Sequence, residues 1–83
     1  MLRIFSVFDS KASAFIQPFY SPTRGTAIRS FKAMANEPGH AFNLFPDDYT
    51  LFELGTFDPE TAKFDLQATP ESLGLANFHQ EQE

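Results

Sequence analysis

YTLFELGTFDPETAKFDLQ, residues 49–67, reads as a β-hairpin. Tyr49 to Phe57 is aromatic-rich and largely apolar, the strongest strand candidate in the chain. Asp58-Pro59-Glu60-Thr61-Ala62 supplies the loop, and Lys63-Phe64-Asp65-Leu66-Gln67 alternates apolar with polar as a partner strand. Glu53 interrupts the first strand. Alternation puts it on the face of Leu51 and Gly55, which reads as the solvent side, within reach of an ion pair to Arg3 on a neighbouring strand.

Outward from this hairpin the rest of the chain falls into place. Leu2 to Phe8 is a mostly buried strand, and Asp9-Ser10-Lys11 a turn. Ala14-Phe15-Ile16-Gln17 is a short edge-like strand closed off by Pro18 and Pro22, since proline lacks a ladder donor. Ser21 or Thr23 can cap a helix in which Ala27, Ile28, Phe31, Met34 and Ala35 recur at helical spacing. Asn36-Glu37-Pro38-Gly39 stops that helix. His40 to Asp48 reads as a loop ending in the turn Pro46-Asp47-Asp48. Thr69-Pro70-Glu71-Ser72 reads as a second helix start, with a short helix from Leu73 to Ala76. The expected class is therefore α+β: a small antiparallel sheet in β-β-α-β-β order, one main helix on one face, and a C-terminal helical turn. Residues 1–78 form one domain, and residues 79–83, HQEQE, a polar frayed tail.

Eighty-three residues allow only a modest core, yet the chain carries eleven Phe and two Tyr, with no Trp and no Cys. A single helix covers one sheet face and leaves the other open. So many rings point to a homodimer in which a second copy covers the surplus. The missing cysteines remove disulfides, thiol catalysis and thiolate metal sites, and fit a reducing cytoplasm. The first ten residues lack a signal-peptide core, and no apolar run reaches the roughly 18 residues of a membrane span, so a soluble protein is expected, with no membrane partner.

Charge divides the chain in two. Residues 1–35 carry Arg3, Lys11, Arg24, Arg29 and Lys32 against Asp9, a balance of +4. Residues 36–83 carry Lys63 against ten acids, a balance of −9. Such asymmetry points to a nucleic-acid or protein contact on the basic half, although cations this sparse argue against tight nonspecific DNA binding. Catalytic patterns are missing. The four glycines stand apart, with no phosphate-cradling loop. His40 and His79 are isolated, and Asp47-Asp48 is turn chemistry rather than a paired acid and base. The expectation is a protein that is no enzyme, with no metal and no cofactor. One stretch remains, FIQPFYSPTRGTAIRSFK (residues 15–32). Rings beside cations are what single-stranded nucleic acid requires, with bases stacking and phosphates paired. The candidate contacts are Lys11, Phe19, Tyr20, Arg24, Arg29 and Lys32, with free amides of the first helical turn around Arg24 and Gly25 as a further phosphate partner.

YTLFELGTFD (49–58), together with FSVFDSKA (5–12) and RGTAIRSF (24–31), closely resembles the small nonstructural protein of gokushoviruses, single-stranded DNA bacteriophages of the microvirus family. The likeness runs from Ile4 through ESLG (71–74) in the same order and spacing. It implies an early phage protein in the cytoplasm of the infected bacterium, absent from the mature virion. Its partner would be single-stranded or replicating viral DNA, and its role to promote the switch to viral single-strand synthesis and packaging. The alternative is an adaptor that uses its acidic half or aromatic surface to modulate the phage replication initiator or a host replication protein, without touching DNA.

Overall fold

A computed structural model describes residues 1–80. The elements run β1 (Leu2–Asp9), β2 (Ala14–Phe15), β3 (Phe19–Ser21), α1 (Arg24–Ala35), α2 (Ala41–Leu44), β4 (Tyr49–Asp58), β5 (Lys63–Leu75) and α3 (Ala76–His79). All strand pairs are antiparallel, in the order β2-β1-β4-β5, with β3 also on β1. The expected hairpin is present: β4 and β5 pair from Asp58↔Lys63 inward, and the Ala62 amide closes the loop on the Asp58 carbonyl at 2.7 Å.

α1 forms where the apolar spacing places it. Thr23 caps it by accepting from the Thr26 amide, and Thr26 returns the contact in a capping box. Ala27, Phe31 and Ala35, four residues apart, are buried against the sheet. Beyond the helix, Gly39 takes φ +87°, the left-handed conformation that glycine adopts freely. The main core cluster is Phe5, Val7, Leu51, Phe31, Phe42 and small alanines of the helices, on one side of the sheet, while Ile4, 3% exposed, is buried on the other. No helix among the described residues is long and apolar enough to cross a membrane.

Four local readings need correction. The edge strand expected at 14–17 is two short strands. Pro18 breaks the ladder, and Phe19–Ser21 then pairs with the other end of β1. The loop 40–48 contains a helical turn, because the His40 ring accepts from the Phe42 amide at 3.0 Å as a side-chain cap. Thr69-Pro70 starts no helix. Glu71 and Ser72 stay paired with Glu53 and Phe52, so β5 continues to Leu75 and the helical turn is Ala76–His79. A proline is tolerated there because β5 is a sheet edge. His79 and Gln80, assigned to a frayed tail, are docked. The His79 ring bonds the Leu73 carbonyl at 2.9 Å and meets Phe31 edge-on, while the Gln80 amide reaches the Ala35 carbonyl at 3.1 Å and that of Asn43 at 3.2 Å. The rest of the expected tail, residues 81–83, lies outside the described residues.

Candidate functional site: an uncharged aromatic sheet face

All three helices pack on one face of the sheet, so the register defines the other. Cross-strand partners share a face and successive residues alternate. Counting from Phe5 and Val7, which point to the helices, the opposite face carries Phe8 beside Phe15 and Thr50, and Ser6 beside Phe52 and Ser72. It continues with Ile4 beside Tyr20 and Gly55, and Leu2 beside Phe57 and Phe64. None of these residues is charged, although the chain carries a net −5.

The rings of this face form two groups. Phe8, Phe15 and Phe52 meet edge-on, with centroids 5.0 Å (Phe8–Phe15), 5.4 Å (Phe15–Phe52) and 6.5 Å (Phe8–Phe52) apart. Tyr20 meets Phe57 at 5.9 Å, and Phe57 meets Phe64 at 4.9 Å. Such pairs add about 0.5–1.5 kcal/mol each beyond area burial. They leave much ring surface in water: Phe15, Tyr20 and Phe64 are 44%, 48% and 56% exposed. The described strand residues of this face include no carboxylate, imidazole, amine or guanidinium, and Tyr20 supplies its one phenol. The face offers flat apolar surface and ring faces, which is binding chemistry.

The helix side holds the charge. Glu53, expected at the solvent, is 2% exposed and accepts from Arg3 Nη1 and Arg24 Nε, each at 2.8 Å. The Arg3 partner was legible in the sequence; the Arg24 partner was not. Arg24 Nη2 also meets Glu71 at 3.0 Å. The hydrogen bond and charge of Glu53 hold the Arg24 guanidinium above its ordinary range.

The six candidate contact residues therefore do not form one surface. Phe19 shares the helix-side face with Phe5 and stacks on it at 5.7 Å, whereas Tyr20 lies on the open face. Arg24 opens α1 and is engaged by two carboxylates. Arg29 and Lys32 are exposed on α1, across the sheet from Tyr20. Lys11 lies in the turn between β1 and β2, beside an open hollow of about 370 Å³ shared with Asp9, Phe45, Asp48 and Tyr49. The sequence reading missed Phe8, Phe15, Phe52, Phe57 and Phe64. The alternation in β1 and β5 was the available signal, and it needed the register to show that these rings converge.

Residues 2–78 match the family model described as Phage ORF5 protein. No curated protein and no solved structure matches the chain.

Proposed function

We propose that this chain, which belongs to the Phage ORF5 protein family, binds single-stranded DNA on its uncharged aromatic sheet face, as a nonstructural protein of a gokushovirus-type phage. The observation that carries the reading is the pair of ring groups on a face that holds no carboxylate among the described residues. Every base has a π-face, so such rings accept successive bases of any sequence, each stack worth about 1–3 kcal/mol. The strand residues of this face, among those the structure describes, include no acid to repel phosphates. Lys11, in the turn between β1 and β2, and Lys63, the first residue of β5, lie at opposite ends of the sheet and are the candidate phosphate partners. In a phage that packages single strands, a stacking protein of this kind sequesters newly made viral strands from second-strand copying, which favours single-strand production.

Fluorescence anisotropy with a labelled mixed-sequence oligonucleotide at 50 and 200 mM salt tests the reading. Binding is expected with shallow salt dependence, a log–log slope of about −1.4 for two phosphate contacts at roughly 0.7 each. No binding at 50 mM salt would overturn direct contact and leave the adaptor reading in its place.

A further inference from the structure

An antiparallel sheet with one covered face ordinarily turns polar side chains to the other. This sheet does not. Among the residues that the register places on the open face, Phe15, Tyr20, Phe64, Leu66 and Leu75 are 40–61% exposed. At roughly 200 Å² a ring, the three aromatic side chains alone leave about 300 Å² in water, as much as the largest apolar patch of many monomers. Two copies set face to face would remove about 600 Å² of that ring surface, more than a third of the roughly 1,600 Å² of a standard interface. The two leucines and the partly buried rings of the face add to that area.

Charge selects a second copy as the occupant. The chain carries −5, so two copies repel each other over much of their surface. The strand residues of this face let them meet without opposing like charges or burying an ion. We infer that the free protein is a homodimer closed sheet on sheet through this face, and that single-stranded DNA displaces the second copy to reach the rings. The displacement rests on the DNA reading above; the dimer does not. The contact is isologous, the same patch on both copies, and closes at two subunits. Self-association then sets a threshold for DNA. Only the chain with an open face binds, so apparent affinity weakens as protein concentration rises through the dimer dissociation constant.

Sedimentation equilibrium at about 100 μM should give twice the 9.4 kDa chain mass. Leu66→Lys and Phe15→Lys each place a cation on the face at an exposed position. Each should raise the dimer dissociation constant at least about tenfold, with circular dichroism unchanged. Two positions on different strands keep the test intact if one variant fails to fold. Leu44→Lys, on α2 and 58% exposed, should leave the dimer as it was. A mixed-sequence single strand of about eight nucleotides, within the site size of one small domain, should convert the dimer into complexes of one chain and one strand in sedimentation velocity. A chain that stays monomeric, a dimer indifferent to both face variants, or one equally sensitive to Leu44→Lys would overturn the dimer. A dimer that takes up the strand without dissociating, or that takes up none, would overturn the displacement. The dimer is measured without DNA, so failure of the DNA reading and failure of the dimer are separate results.

Discussion

Arg24, the first residue of α1, donates its Nε to Oε1 of Glu53 in the middle of β4 at 2.8 Å. This bond ties the helix start to the sheet, and Arg3 on β1 completes it from the other oxygen. The three side chains are not equivalent. Glu53 is buried, while both arginines are 43% exposed. Removing the acid leaves two cations that water can reach; removing both cations strands a buried carboxylate.

Stability should therefore fall asymmetrically. Glu53→Gln is expected to cost about 1.5–3 kcal/mol, the range of a lost charged hydrogen bond with the partners rehydrated. The double variant Arg3→Met with Arg24→Met is expected to cost about 3–5 kcal/mol, the range for an uncompensated buried charge. Urea unfolding measures both. Equal costs would mean that Glu53 reaches water in the variant and that the burial argument is wrong.

That network also marks where the sequence was silent. A glutamate alternating with apolar residues reads as solvent-facing, because burial without partners is costly. What made burial tolerable was Arg24, twenty-nine residues away on another element, and no local pattern carries that pairing. α1 was legible because capping and spacing are local, and the hairpin for the same reason. β3 was obscured by the prolines on either side of it, at 18 and 22, so the opposite facing of Phe19 and Tyr20 stayed hidden. β5 beyond Gln67 was lost to a proline that signals a helix start when its edge position is unknown. The aromatic face was legible as a surplus of rings but not as a place.

Gly55 is required by proximity. A methyl group there would lie 2.2 Å from the Asp65 carbonyl oxygen and 2.8 Å from the Leu66 Cα, both backbone atoms of β5. Neither can move without shifting the hairpin. Gly55→Ala should cost about 1–3 kcal/mol, the overpacking range, and should lower hydrogen-exchange protection across Lys63 to Leu66 more than in α1. Uniform protection loss would place the strain elsewhere.

Tyr49 should add an alkaline pH dependence to stability. Desolvation first, then the negative charges of Asp9 and Asp48, raise its phenol above the ordinary 10.0. The folded chain thus favours the neutral phenol. The resulting stabilisation is full below the unfolded value and is lost as pH rises through the raised folded value. Urea midpoints from pH 8 to pH 11.5 should drop more steeply for the natural chain than for Tyr49→Phe. Parallel curves would remove Tyr49 from the account.

Phe19 and Tyr20 are adjacent in sequence and separate folding from binding. Phe19 stacks on buried Phe5 at the helix side, so Phe19→Ala should cost about 3–4 kcal/mol as a core truncation, near the low end of the range because the ring is only partly buried. Its DNA affinity per folded molecule should stay unchanged. Tyr20 is 48% exposed on the open face beside Phe57 and opposite buried Ile4, so its truncation removes less packing than that of Phe19. Tyr20→Ala should lower its urea midpoint less than Phe19→Ala does and lose DNA affinity by about 5- to 150-fold, one base stack of 1–3 kcal/mol. Paired unfolding and anisotropy titrations on the two variants decide the matter. If Tyr20→Ala binds as tightly as the natural chain, strands do not cross the aromatic face at Tyr20. If Phe19→Ala loses affinity while folded, the contact lies on the helix side, near Arg29 and Lys32.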